Sequence, residues 1–335
     1  MQPLLCLSID VEEDMPGWEI AETTTVSNVR ALPRLADMAA RLGVRPTYLV
    51  TYPVATDPEA ARILRELHAR GDCEIGTHLH PWNTPPFVDV PGRAGDERKH
   101  AYYMSELGAT KFRAKLERLH AVLGELAGTP PRSFRAGRFG IDAPTLRELL
   151  PLGYEVDSSV TPLAEHRADG GPDFRAAPQH PYRPARDDVR RAGDLDIVEI
   201  PVSVGLTRRL PPALRRAYVN LPPVTRIRGL LSRDHLGWLD YAWLYPVRFE
   251  LESMRSVARV LVEDGAPTLN VFLHSSELVP GQSGRIRTAD DVEAMLARLA
   301  GILEHCLREF SARPATLTEA ARALRPSLGL PAASA

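Results

Sequence analysis

Two histidines two residues apart, His78 and His80, follow the short apolar stretch Cys73 to Gly76 and are closed off by Pro81. Imidazole nitrogen is a good ligand for zinc and its neighbours, and a strand that delivers two such rings to a loop is a common way to hold a divalent ion. A lone His-x-His pair more often marks hydrogen-bonded or surface histidines, so the reading depends on its company. Asp10, Glu12, Glu13 and Asp14 put four carboxylates into five residues directly after the apolar run Leu4 to Ile9, with no turn residue between. On a strand, Asp10 and Glu12 point to one face. Carboxylates so crowded repel one another, and a cation would relieve them; the alternative is a solvated acidic loop.

Three more clusters have the same form, a short apolar stretch followed at once by polar or ionisable residues. They are Ser133 to Gly140 with Arg135 and Arg138, Gly153 to Ser159 with Asp157, and Leu269 to Glu277 with His274 and Glu277. Strand ends that repeatedly carry such groups point to a parallel barrel or sheet with its site along the C-terminal edge.

The elements that must position these groups alternate along the chain. Helical spacing runs through Val26–Leu42, Pro58–Arg70, Leu107–Leu126, Asp142–Leu150, Leu251–Glu263 and Thr288–Phe310. Asp57 caps the second of these with Pro58 in its first turn. Thr288 and Asp291 make a capping box for the last. Strands are expected at Thr47–Val50, Cys73–Gly76, Ser133–Ala136, Tyr154–Asp157, Ile197–Val202 and Leu269–Leu273. Alternation of this kind implies a parallel sheet, and strands this short favour closure into an irregular barrel.

With 335 residues, 44% of them apolar, the chain suits one barrel domain over 1–335 with insertions better than two equal domains. Two stretches break the alternation. Asn83 to Ser105 reads as a long loop over the site. The arm 206–245 holds seven arginines (208, 209, 215, 216, 226, 228 and 233) against Asp234 and Asp240, followed by Trp238, Tyr241, Trp243 and Tyr245. It is either a solvated surface or an anion-binding lid for a phosphate or acidic sugar. Its aromatic residues either stack on sugar faces or seat the arm. A helical segment, 288–326, ends the ordered reading.

A formal charge of −2 gives no argument for nucleic-acid or membrane partners. No basic-plus-apolar leader precedes the first strand and no apolar run approaches a membrane span, so the expected location is cytoplasmic. Cys6, Cys73 and Cys306 read as buried thiols rather than a disulfide or metal framework.

Taken in order, the five clusters resemble the NodB-homology polysaccharide deacetylases, carbohydrate esterase family 4. Ser-Ile-Asp-Val-Glu is similar to the family's first motif and Glu-Ile-Gly-Thr-His to its second. Phe-Arg-Ala-Gly-Arg-Phe-Gly, Gly-Tyr-x-x-Asp-Ser-Ser and Phe-Leu-His resemble the third to fifth. The segments around Ser159–Pro162, Gly170–Arg175 and His274–Leu278 look like the branch tied to lipopolysaccharide and exopolysaccharide biosynthesis. The chain departs from the common pattern: Val11 separates the two acids, and the histidines are two residues apart rather than four. The third motif is one residue longer, so either Arg135 or Arg138 takes the family arginine's place.

The resemblance implies an α/β fold, a distorted (β/α) barrel of about seven parallel strands. It implies hydrolysis of an N-acyl group, N-acetyl first, on an amino sugar or glycan intermediate that is free or linked to a nucleotide or lipid phosphate. The implied cofactor is one divalent metal, zinc first, with cobalt, nickel, manganese or iron as alternatives. Glu12, His78 and His80 would hold it, with Asp10 or Glu13 as alternative acids. Asp10 is then the general base, Arg135 orients it, and His274 is the general acid. Asp157 partners His274 or Arg135. Trp82, Arg138, Trp243 and Glu277 are candidates for contact with substrate. Rival readings are a two-carboxylate glycosidase without metal, a hydrolase of a formamide or ureide, and a non-catalytic glycan-binding relative.

Overall fold

The computed structural model describes residues 2–18, 24–87, 102–221 and 239–331. Its strands are β1 (Leu4–Val11), β2 (Thr47–Val50), β3 (Glu74–Leu79), β4 (Ser133–Ala136), β5 (Val156–Asp157), β6 (Val198–Glu199), β7 (Val204–Leu206), β8 (Tyr241–Trp243), β9 (Thr268–His274) and β10 (Arg313–Pro314). Its helices are α1 (Leu32–Arg41), α2 (Tyr52–Thr56), α3 (Pro58–Ala69), α4 (Ala109–Ala127), α5 (Ala143–Leu149), α6 (Pro212–Val219), α7 (Leu251–Glu263), α8 (Ala289–Glu309) and α9 (Leu317–Leu324).

Strands β1 to β6 pair in sequence order, all parallel, and β9 pairs with the other edge of β1 along Leu4 to Asp10. Seven parallel strands therefore curl into a distorted α/β barrel, and β10 adds two residues beside the start of β1. The irregularity lies between β6 and β9. There the antiparallel pair β7–β8 bridges the gap through single bonds, Ser203 N–H to the Asn270 carbonyl and Phe272 N–H to the Leu244 carbonyl.

The period of two along β1 sorts its side chains. Leu5, Leu7, Ile9 and Val11 face the helices in the main core, whereas Leu4 and Cys6 pack with α9, which seals the bottom of the barrel through Leu317, Ala320, Ala321 and Leu324. Higher on the inward face come Ser8 and Asp10, so the barrel interior changes from apolar to polar toward its C-terminal end. All three cysteines are buried thiols.

Several boundaries differ from the sequence reading. The strand expected to stop at Gly76 continues to Leu79, because parallel pairing with β4 carries it on, His78 opposite Arg135. The first of the two histidines is thus held on the sheet and not in a loop. Strands β5 and β6 shrink to two residues each; among the described residues the free edge of β6 meets a single antiparallel bridge to Tyr182. The helix expected from Val26 divides into a 3-10 turn over Ser27–Ala31 and then α1, with Pro33 in its first turn. The caps form as expected. The Asp57 carboxylate accepts the N–H groups of Glu59 and Ala60, and Thr288 with Asp291 closes a capping box.

The ends of the arm 206–245 are tied by β7 and β8, and Tyr218 and Val219 of α6 pack on Leu206 and Leu239. Arg226, Arg228, Arg233, Asp234 and Trp238 lie outside the described residues, as does most of the Asn83 to Ser105 loop. The segment 288–326 is not purely helical: β10 lies between α8 and α9. No helix among the described residues is long and apolar enough to cross a membrane.

Candidate metal and active site

Strands β1, β3 and β9 end at the same edge of the barrel, and their last side chains meet in a cavity of about 300 Å3. Asp10, Glu12, His78, His80 and His274 all line it. Ligand atoms of Glu12, His78 and His80 lie within 4.8 Å of one another. The two Nε2 atoms are 2.9 Å apart, and Glu12 Oε2 is 3.7 Å from the first and 3.5 Å from the second.

The far nitrogen of each ring is already engaged. His78 Nδ1 donates to the Arg135 carbonyl at 2.9 Å, and His80 Nδ1 lies 3.4 Å from Glu13 Oε1. Such contacts fix the tautomer that leaves Nε2 bare, which is how metal-binding histidines are commonly held. Glu12 Oε1 is buried with no hydrogen-bond partner among the described residues. Two inward lone pairs and an orphaned carboxylate oxygen fit a divalent cation, and two nitrogens with one oxygen suit zinc or a neighbouring ion. Burial first, then the nearby Glu13 and Asp10, outweigh His274 and His80 and push the Glu12 carboxyl up to about 7 in the metal-free chain.

The four crowded acids divide their tasks. Asp14 faces away and ties down the following loop, accepting from Thr25, Ser27 and Asn28. Glu13 braces His80. It accepts from Asn83 Nδ2 at 2.8 Å, from Trp82 Nε1 at 3.1 Å and from Thr51 Oγ1 at 3.4 Å. Burial raises its pKa, but the neighbouring His80 and the bonds from His80 and Asn83 outweigh it and hold the carboxyl at about 2.

Asp10 sits between two bases and a guanidinium. Its Oδ1 accepts from Arg135 Nη1 at 2.7 Å, and its Oδ2 lies 3.9 Å from both His78 Nε2 and His274 Nε2. Burial opposes ionisation, yet Arg135, His78 and His274 prevail and keep the carboxyl below its usual value. Arg135 is fully buried inside the barrel. Its Nε donates to the Ser158 carbonyl, and its Nη2 to Ser8 Oγ and Ser158 Oγ. Asn270 connects these two hydroxyls, accepting from Ser8 and donating to Ser158. Arg138 sits elsewhere, at the cavity rim, so the two candidates for the family arginine occupy separate places.

His274 ends β9 with Nδ1 3.3 Å from Glu277 Oε2, and the same oxygen accepts the His274 backbone N–H at 2.9 Å. Tyr245 donates its hydroxyl to Glu277 Oε1. Burial lowers the imidazole pKa, but Glu277, Glu12 and Asp10 together raise it to about 9. Glu277 is fully buried and holds His274. Asp157 meets neither His274 nor the cavity. It accepts from Ser159 at 2.5 Å and hydrogen-bonds Glu199 on the next strand.

Among the other predicted contact residues, Trp82 lines the cavity with its ring 4.3 Å from the His80 ring, while its N–H is committed to Glu13. Trp243 packs on Phe139 and Phe272 and donates to the Tyr241 hydroxyl at 2.6 Å; it is not in the cavity wall. Tyr103, from the loop expected over the site, and Phe139 also line the wall, as do three residues that sequence reasoning did not place there, Met15, His166 and Asp169. Those from the 163–175 region carry no periodic signal that would have revealed them.

The turn after β4 is tightly built. Arg138 and Phe139 have φ of 55° and 56°, a left-handed pair without glycine, which costs of order 1–3 kcal/mol each and clusters at functional sites. Gly137 before them cannot carry a side chain, because a Cβ would stand 2.1 Å from His80 Cδ2.

No family model matches the sequence, and no curated protein does. Solved structures do match. A protein of Mycobacterium smegmatis provisionally assigned as a polysaccharide deacetylase superposes with a TM-score of 0.57 at 18% identity, covering 100% of this chain and 93% of that one. A protein of Parabacteroides distasonis, provisionally a glycoside hydrolase/deacetylase, gives 0.62 at 13% identity over 97% of this chain and 71% of that one. At these identities the likeness is one of fold: this chain has the distorted barrel found in both.

Proposed function

We propose that this chain is a metal-dependent hydrolase of the carbohydrate esterase 4 type that removes an N-acyl group, N-acetyl first, from an amino sugar or glycan intermediate. The observation that carries the reading is the meeting of three units in one cavity: the Glu12–His78–His80 cluster, the Asp10–Arg135 pair and the His274–Glu277 pair. The fold shared with the two deacetylase-assigned structures agrees with it.

Glu12, His78 and His80 would hold the ion, which when bound polarises an acyl oxygen and acidifies water. Asp10 Oδ2 is the oxygen of an ionised carboxylate that Arg135 does not bond, and it accepts the proton of the attacking water. Arg135 keeps Asp10 charged and fixes its rotamer. His274 is protonated at neutral pH and 3.9 Å from Asp10, so it donates to the departing amine from the end of the neighbouring strand. Glu277 supplies the negative charge that keeps that proton in place. Trp82, Tyr103 and Phe139 exclude water around the acyl group.

The arm arginines among the described residues give no support to a phosphate-linked substrate at this cavity. Arg215 and Arg216 line a separate cleft of about 560 Å3, where Arg175 and Arg190 are forked onto Asp173 and Asp188. The deciding experiment is metal analysis of the purified protein together with acetate and formate release from free, nucleotide-linked and lipid-linked amino sugars. Stoichiometric zinc or a related ion with acetate release is the expected result. A metal-free protein that cleaves glycosidic bonds overturns it.

A further inference from the structure

The charge of the sugar is legible at the rim of the same cavity. Arg138 is the only lysine or arginine among the described residues that line it. The left-handed turn at Arg138 and Phe139 directs the guanidinium over the rings of Tyr102 and Tyr103, its carbon 5.5 Å from each ring centre. Two aromatic faces hold a planar cation in place without using its hydrogen-bond donors. Those donors are poorly used. Arg138 Nε is buried with no partner among the described residues, and the one carboxylate that reaches the group, Asp169, does so at 3.3 Å. Asp169 is also the more exposed of the two, 59% against 32% for the Arg138 side chain. An ion pair so long and so exposed contributes little and is readily exchanged.

We propose that Arg138 is a specificity-determining residue: its guanidinium binds an anionic group, carboxylate or phosphate, on the sugar whose N-acyl group is removed, and Asp169 stands in for that group until the substrate arrives. This rests on the deacylase reading of the site. The substrate class is therefore an acidic amino sugar, such as a uronate or a sugar phosphate. A forked anion satisfies the orphaned Nε and an Nη together, which a neutral hydroxyl cannot do as strongly.

The test compares zinc-loaded parent, Arg138→Gln, Arg138→Lys and Asp169→Asn on three N-acetylhexosamine glycosides: neutral, uronate-bearing and phosphate-bearing. The parent prefers one acidic substrate over the neutral one in kcat/KM by roughly tenfold or more, the scale of a hydrogen bond to a charged group. Which acid it prefers identifies the carboxylate or the phosphate as the source. Arg138→Gln collapses that ratio and Arg138→Lys restores part of it. Asp169→Asn moves it the other way, because the competing anion is gone, and a merely structural role would not produce opposite signs. Should Arg138→Gln fail to fold, the lysine variant and Asp169→Asn decide the matter by the same ratio. Equal rates on neutral and acidic sugars, or a ratio indifferent to residues 138 and 169, overturn the inference and leave the deacylase reading standing. If no substrate is hydrolysed, calorimetry with the same sugars separates the two. Binding of the acidic sugars that Arg138 variants lose keeps the anion site and removes the deacylase reading; no binding removes both.

Discussion

Asp157 and Glu199 are register partners on β5 and β6, both fully buried, and their carboxyl groups hydrogen-bond each other. Two carboxyls in contact must share a proton. Glu199 carries it: burial first, then the charge and hydrogen bond of Asp157, push it well above the usual carboxylate range. Asp157 has the Ser159 hydroxyl and the nearby Arg135 charge on its side.

The folded chain thus binds a proton that the unfolded chain releases near pH 4.5. Stability must fall as pH rises above that value, until the folded group itself titrates. Glu199→Gln imitates the protonated acid, keeping an acceptor for the Val160 N–H and a donor toward Asp157. We expect its melting temperature to exceed the parent's, with a gap that widens from pH 5 to pH 8. A constant gap, or a parent whose stability rises over that range, would show that the pair does not hold the proton.

Arg135 and Asp10 should couple strongly. Arg135→Met leaves a buried carboxylate without its partner, a change that costs about 3–5 kcal/mol. Asp10→Asn in the same chain removes the uncompensated charge and should recover part of that loss. Urea unfolding of the two single variants and the double variant measures the coupling; simple additivity would mean that the ion pair contributes nothing specific.

Metal retention should fall in two grades. His78→Ala removes a proposed ligand and should abolish stoichiometric zinc. Glu13→Gln leaves all three ligands but loosens His80, and changes at such bracing positions commonly cost 10–100-fold in affinity. Competition against a chromophoric chelator reads both. Equal, complete loss in the two variants would make Glu13 a ligand; full retention in His78→Ala would sink the cluster altogether.

His274→Ala should lower turnover on an amide by roughly 10²–10⁴ while metal stays bound. An activated aryl ester, whose leaving group needs no proton, should suffer much less. Glu277→Gln removes the largest charge that raises His274 from its ordinary value to about 9, so the alkaline limb of kcat should move to lower pH. An unmoved limb assigns it to another group.

Much of this site could be read before the fold was seen, because it follows from adjacency in sequence. Asp10 and Glu12 share a strand face, His78 and His80 share another, and parallel strands deliver their C-terminal ends to one edge. What could not be read is the pairing across strands. Nothing near Asp157 names Glu199, forty-odd residues on, as the group that shares its proton, and Ile197-Val198-Glu199-Ile200 reads only as an apolar run with one acid. Glu277 was legible as a polar neighbour of His274 but not as its support, since that role depends on a 3-10 turn folding it back. The cavity wall from His166 and Asp169 comes from a loop without period, where spacing carries no information.

The place of β1 has a consequence for how the chain assembles. This strand pairs early with β2, but its other edge waits for β9, and Ser8 bonds Asn270 across 262 positions. At about 5–20 residues per second, that is an interval of roughly 13–50 s during synthesis. Throughout it, a largely apolar strand with three leucines presents an unpaired backbone edge, the kind of template on which foreign strands add. The nascent chain is thus open to misassociation at the strand that will carry Asp10, and a chaperone that covers it until β9 emerges should raise the yield of soluble protein more than one that acts on the finished chain.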